Sequence, residues 1–534
     1  MTGTIETIAF ILAVLVVVAV IAQRLTVPPS ILLVVAGIGL ALVPGLPALE
    51  LAPELVILVL LPPLIYSAGV AMSWREFCQN LRPVTALAFG AVVFTTAAVA
   101  AAMHYLLGWP WPVAFVLGAI VSPPDVVAPL AIARRLGLPR RLLVVLEGEG
   151  LANDATALIL YKFAVLAVTA GSFSAAQAAG NFVLIVIGEI LYGIAVGWLS
   201  LRLRQRAHNP RVEITLSLMT PFLAYLVPHQ IGGSGVLATI ACGLYVSWVG
   251  PRLISAATRL QGIFFWDLII YLIEGFVFLI TGLQARSLIE KAHDFPVAEV
   301  LAATAVTVAM VIAARFVWVF SATYGRSWIV SALARSTKPP GWRGPFVVSF
   351  IGIRGVVSLA AALAIPLWVD GGNPFPYRDL ILLATFGLII ITLVGQGLML
   401  PAVIRWLGLQ SLAEADARLE RQAELEARSA AVGHARELLK QIAQERGLGE
   451  EVVAFFNARH DQRERLIPSD LDEGTAMLRA NNDLRLELIA AERDFLYDLL
   501  RKGTITDESR RRLERELDLE EASILARRES EIPL

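Results

Sequence analysis

Long apolar runs dominate the first three quarters of the chain, broken by short loops that carry Arg, Gly and Pro. Runs of about 20 apolar residues match the hydrocarbon thickness of a bilayer. Placed by hydropathy, helices fall at 5–22, 28–47, 53–70, 84–107, 111–132, 142–169, 181–203, 212–228, 233–249, 263–284, 297–324, 344–368 and 378–407, thirteen in all. After Leu409 the pattern changes. The stretches EADARLERQAELEARSAAVGHARELLKQ, from Glu414, and DESRRRLERELDLEEASILARRESE, from Asp507, have the charge density of solvated helices laced with i,i+4 ion pairs. The pattern predicts an all-α polytopic membrane protein, with a transmembrane unit over 1–409 and a charged helical domain over 410–534. The plainest reading of that tail is a solvated appendage that aids dimer contact; a ligand-sensing role is the alternative.

Composition agrees with a membrane protein, since the 534 residues are 57% hydrophobic and 17% charged with mean hydropathy +0.69. A net charge of -1 gives no sign of a nucleic-acid partner. The two cysteines, Cys78 and Cys242, lie too far apart in sequence to suggest a disulfide framework or a metal knuckle, and no cofactor motif is present. The first apolar run is preceded by Glu6 and by no Lys or Arg, which argues for a first spanning helix rather than a cleaved signal. Basic residues cluster in alternate loops, around Arg134–Arg141, Arg202–Arg211 and Arg326–Arg343 among others, whereas the intervening loops carry Arg286, Lys291 and Arg378. That bias places the N-terminus outside and the C-terminus in the cytoplasm.

Charged residues inside the apolar runs carry the chemistry. In LEGEGLANDATALIL, Glu149, Asn153 and Asp154 share one half of a helix. An ionised carboxylate at membrane centre costs about 2.5–3.5 kcal/mol unless it faces water or a partner, so this stripe looks inward. In GAIVSPPDVVAPL, Pro123 and Pro124 remove two backbone donors just before Asp125. They predict a broken helix there, whose freed carbonyls can serve as cation ligands; a simple proline kink is the plainer reading. Arg354, in FIGIRGVVSLAAALAIP, needs an acid, and Glu149 is the expected partner, with Asp125 or Glu274 next. A snorkelling anchor is the plainer reading of Arg354. The fifth and twelfth helices, seven apart, both look interruptible, as expected of two inverted repeats with broken helices crossing at mid-membrane.

Taken together, IVSPPDVVAPLAIARRLGLPRRLLVVLEGEGLANDATALILY, EGFVFLITGLQ and IRGVVSLAAALAIP resemble the monovalent cation/proton antiporters, specifically the bacterial Na+/H+ exchangers with an Asn-Asp pair in the sixth helix. The resemblance spans about residues 5–407. It implies that Asp154 binds cation and proton alternately, that Asp125 is the acid of the broken helix, and that Glu149 and Arg354 form a structural pair. Asn153 stands where an electrogenic branch has a second Asp, so electroneutral one-for-one exchange is implied, as is a homodimer. Three positions depart from the family pattern. Gly150 replaces a frequent Ser, Ser67 replaces an acid in the third helix, and Pro124, Asp125 and Val126 stand where Thr-Asp-Pro is usual. Ser122, Thr156, Ser67 or backbone carbonyls are the candidate replacement ligands for the monovalent cation at Asp154. Na+ is the first expectation, and K+ becomes more plausible with these departures.

Competition for one carboxylate makes exchange obligatory if the loaded site crosses the barrier and the bare anion does not. Glu189, Glu274 and Lys162 are further intramembrane charges; Glu274 has a possible place on the ion path or beside Arg315. Trp109, Trp111, Trp248 and Trp368 fit aromatic belts, and the six histidines show no ligand spacing. A cation channel, a cation-coupled solute symporter and a membrane-anchored sensor are the competing classes. The chain has no pattern that reads as an enzyme.

Overall fold

The computed structural model of the chain describes residues 2–25, 27–44, 52–169, 175–333, 341–369, 372–465 and 473–531. The chain divides into two compact units, Met1–Leu409 and Gln410–Leu534. Among the described residues the first unit contains thirteen helical passages, the short connecting helices Trp74–Gln79 and Ala285–Ala292, and an isolated β-bridge between Trp368 and Pro374. The passages are α1 (Thr2–Leu25), α2 (Pro29–Ala41), α3 (Leu55–Ala71), α4 (Leu81–Leu107), α5a and α5b (Trp111–Val121 and Val127–Arg135), and α6 (Arg140–Thr169). Then follow α7 (Ala175–Ala207), α8 (Pro210–Gln230), α9 (Val236–Val249), α10 (Ala256–Leu283), α11 (Val297–Leu333), α12a and α12b (Arg343–Phe350 and Val356–Leu363), and α13 (Arg378–Leu407). Six helices of the unit are long and apolar enough to cross a membrane, and four shorter apolar helices accompany them.

Local chemistry sets the ends. Asn209 caps α8 by accepting the Arg211 N–H at 3.0 Å, and Ser255 caps α10 by accepting the Thr258 N–H at 3.2 Å. Gly108 and Gly408, both with positive φ, close α4 and α13. Short π-helical segments interrupt α3, α4 and α13, at Leu55–Leu60, Ala86–Ala91 and Ile391–Gln396.

Packing repeats with an offset of seven helices. The α2–α10 contact corresponds to the α9–α3 contact, α4 packs on α11, and α5 meets α12. Close backbone approach recurs with it. A Cβ on Gly37 would lie 2.3 Å from the Leu279 carbonyl oxygen and 2.9 Å from Gly282 Cα, while one on Gly243 would lie 2.9 Å from the Tyr66 carbonyl oxygen and 3.1 Å from Gly69 Cα. Small residues at such crossings let membrane helices gain dispersion contact where no hydrophobic drive exists. The repeat pattern expected from the two interruptible helices is therefore present in the packing.

The other intramembrane polar groups are mostly satisfied. Glu189 on α7 accepts the Ser234, Gly235 and Leu237 N–H groups at 2.5, 3.0 and 3.1 Å, which caps the start of α9. Lys162 donates to the Gly233 carbonyl at 2.5 Å. Of the belt tryptophans, Trp111, Trp248 and Trp368 are exposed, but Trp109 is buried with its ring 4.8 Å from that of Tyr377, so it belongs to the core.

The second unit holds α14 (Gln410–Arg446), α15 (Glu450–Arg465), α16 (Glu473–Arg501) and α17 (Asp507–Glu531). Arg436 joins α14 to Asp461 of α15 at 2.6 Å. Arg485 reaches Glu520 and Arg493 reaches Asp518 across the α16–α17 pair, at 2.7 and 2.6 Å, over a small core of Ile489, Leu517 and Ile524.

Candidate functional site

Both interruptions fall at one place. After α5a the chain leaves the helix over Ser122–Val126, and after α12a over Ile351–Gly355. The two breaks are joined through the backbone, the Asp125 N–H donating to the Ile353 carbonyl at 2.7 Å. Gly355 is required at this crossing because a Cβ there would stand 2.2 Å from Asp125 Oδ2. The proline pair thus marks a true break and not a kink.

Breaking a helix exposes partial charges, and three of the four ends made here are matched by side chains. The Asp125 carboxylate accepts the Val127 N–H at 2.9 Å at the positive start of α5b. At the negative ends, Arg354 donates from Nε to the Val121 carbonyl and from Nη1 to the Gly352 carbonyl, both at 2.6 Å. Arg315 on α11 donates from Nε and Nη2 to the Val348 carbonyl of α12a, at 3.1 and 2.9 Å.

The expected pairing of Glu149 with Arg354 is not what the fold makes. Glu149, fully buried, is held by Arg315, whose Nη1 and Nη2 lie 2.5 and 2.9 Å from the two carboxylate oxygens. Arg354, 1% exposed, gives its guanidinium to carbonyls freed by the breaks. The physical reason is satisfaction: freed carbonyls cannot be rehydrated here, so a guanidinium beside them acts as their donor. A signal for Arg315 was present in AARFVWVF, an arginine inside an apolar run, but nothing along the chain says which acid it meets.

On α6, Asn153 donates from Nδ2 to the Pro124 carbonyl at 2.7 Å and so ties the polar stripe to the broken helix. Asp154, the next residue, faces a cavity of about 410 Å³ whose wall also includes Asp125, Ser67, Gly150 and Glu274. No hydrogen bond or ion pair engages its carboxylate among the described residues. The cavity extends to Arg134 and Glu147, an ion pair at 2.6 Å whose arginine is exposed, on the side of the basic α5b–α6 loop. Asp154 also borders a small space of about 10 Å³ lined by Ile120, Leu158, Tyr161, Val357 and Ala361, at the threshold for one water. Asp154 therefore sits between a wide cavity that reaches the α5b–α6 side and a water-sized space lined mostly by apolar side chains.

The candidate ligands separate. Ser67 is on the cavity wall. Ser122 donates to the Ala119 carbonyl at 3.0 Å and Thr156 to the Ala152 carbonyl at 3.3 Å, both buried and both bonded back into their own helices. Neither lines the cavity around Asp154. Gly150 and Val126, two departures noted separately in sequence, prove to be neighbours: a Cβ on Gly150 would fall 2.1 Å from Val126 Cγ2. Val126 occupies the volume that a larger residue at 150 would need.

Residues 10–406 match the family described as "Sodium/hydrogen exchanger, transmembrane". An uncharacterized Na+/H+ exchanger of Mycobacterium tuberculosis is 36% identical over 535 residues, covering 98% of this chain and 96% of its own. The sodium, potassium, lithium and rubidium/H+ antiporter of Bacillus subtilis is 34% identical over 386 residues, 70% of this chain and 57% of its own length. Among solved structures, the sodium proton antiporter MjNhaP1 of Methanocaldococcus jannaschii superposes with TM-score 0.60 at 19% identity, over 75% of this chain and 98% of that one.

Proposed function

Because this chain belongs to the sodium/hydrogen exchanger family and is a multi-pass cation/proton antiporter, we propose that it exchanges one Na+ or K+ for one H+ at Asp154. The observation that carries this reading is the free Asp154 carboxylate between a wide cavity and a water-sized space, beside two crossed helix breaks. A bare carboxylate in that position is costly to move past the apolar side chains, whereas one neutralised by a proton or a cation is not. Transport of either ion thus requires release of the other. Alternating access follows if α5 and α12, with the helices packed on them, rock so that Ile120, Leu158 and Tyr161 part while the wide side closes.

Asn153 supports a one-for-one stoichiometry, since it is neutral and its amide is used on the Pro124 carbonyl. Ion choice is set by what surrounds Asp154. With Gly150 and Val126 offering no side-chain oxygen and Ser122 and Thr156 bonded back into their helices, the side-chain oxygens that share the inner cavity wall with Asp154 are those of Asp125, Ser67, Ser358 and Glu274. So sparse a set favours broad acceptance of Na+ and K+ over a tight sodium cage, in keeping with the four-cation name of the Bacillus subtilis relative. The basic α5b–α6 loop and the charge bias of the alternate loops support a cytoplasmic mouth for this cavity and a cytoplasmic C-terminus.

Everted vesicles carrying the full chain, loaded with a pH-sensitive dye, test the reading. A respiration-driven pH gradient should collapse on addition of NaCl or KCl and persist with choline chloride. Asp154→Asn should abolish the collapse while the protein still inserts and elutes as a folded species. Near-normal exchange by Asp154→Asn would remove Asp154 from the site.

A further inference from the structure

Glu274 lies on α10, and its carboxyl is on the wall of the cavity that holds Asp125 and Asp154. A carboxylate at membrane depth is retained only with a partner or with water. Among the described residues Glu274 has neither ion pair nor hydrogen bond, and it is half-buried on the cavity wall. The arginines that might have neutralised it are engaged elsewhere, Arg315 with Glu149 and Val348, and Arg354 with the Val121 and Gly352 carbonyls. Arg134, the basic residue of the cavity wall, holds Glu147 at the mouth. Glu274 is therefore not a fold-supporting charge. Asp125, Asp154 and Glu274 share the wall of this one cavity. Of the third-helix residues on that wall Ser67 is the one with a polar side chain, so the further acid beside Asp125 and Asp154 comes from α10.

We propose that Glu274 is the capture carboxylate for the transported cation: it draws Na+ or K+ into the cavity and passes it by way of Asp125 to Asp154. This rests on the exchange reading above. A focused negative field in a low-dielectric cleft raises the local concentration of a cation without contributing to the barrier crossing itself. Glu274 thus governs how much cation is needed and leaves the maximal rate to Asp154.

The test measures cation binding to the purified full chain in detergent, as thermal stabilisation on titration with NaCl or KCl at constant ionic strength held with choline chloride. Wild type, Glu274→Gln and Glu274→Asp are compared. The expected result is a half-saturating concentration raised by about tenfold in Glu274→Gln. Glu274→Asp should stay near wild type, and all three should have equal melting temperatures without added cation. A Glu274→Gln titration that overlays wild type overturns the proposal, and so does a cation-free melting temperature that falls with the substitution while the half-saturation point stays fixed. A wild type that shows no cation-dependent stabilisation overturns it as well. Binding with the expected shift, but no exchange in vesicles, would instead count against the exchange reading and leave capture standing.

Discussion

Arg315 closes on Glu149 with both terminal nitrogens, at 2.5 and 2.9 Å, and the same guanidinium holds the Val348 carbonyl at the end of α12a. One residue on α11 thereby fixes the sixth helix to the broken twelfth. Removing one partner of a buried pair strands the other, a loss of about 3–5 kcal/mol. Glu149→Gln and Arg315→Gln should each lower the melting temperature in detergent, and the double variant should lose clearly less than the sum. The matching cycle of Glu149 with Arg354 should show the smaller coupling, because Arg354 spends its donors on carbonyls. Equal coupling in the two cycles would contradict the observed pairing.

A second prediction concerns Gly150. A serine there would drive its Cβ into Val126, at 2.1 Å from Cγ2. Overpacking of this kind costs about 1–3 kcal/mol. Gly150→Ser should therefore destabilise the protein, and adding Val126→Ala should restore most of the loss. The double variant also places a hydroxyl one turn before Asp154, so its preference should move toward Na+ and Li+ relative to K+. Thermal melts and vesicle assays with each chloride salt check both parts, and a single variant as stable as wild type would show that Val126 yields freely.

Much of this arrangement could be read along the chain, and the reason is local. Pro123 and Pro124 forbid two backbone bonds wherever they fall, so the break beside Asp125 follows from covalent chemistry. The thirteen passages follow from apolar run length, and the charged α14–α17 helices from their spacing of acids and bases. Pairing was not legible. Glu149, Arg315 and Arg354 come from three different helices, and which cation meets which acid depends on where α5 and α12 cross. Ser122 and Thr156 look like ligands in sequence because a hydroxyl near an acid is a plausible donor of oxygen. In a helix the same hydroxyl has the carbonyl of the preceding turn within reach, and here both take it. Gly150 and Val126 read as two unrelated departures until they are seen to share one volume.

A third prediction tests stoichiometry. If Asn153 carries no charge through the cycle and one cation replaces one proton, no net charge crosses the membrane. Exchange rates in proteoliposomes should then be the same at zero potential and at a valinomycin-imposed potential of either sign, measured with Na+ as the exchanged ion. A rate that rises with one sign and falls with the other would show net charge movement and identify a second titrating group, with Asp125 and Glu274 the nearest acids on the same cavity wall.

Competition at Asp154 is the centre of the account, and initial exchange rates in proteoliposomes as a function of cation concentration, repeated at several pH values on the cation-loading side, measure it most directly. If proton and cation claim the same carboxylate, acidification should raise the half-saturating Na+ or K+ concentration while the rate at saturating cation stays unchanged. A half-saturating concentration that holds constant while the saturating rate falls with pH would mean that the proton binds elsewhere, and the single-carboxylate mechanism would be wrong.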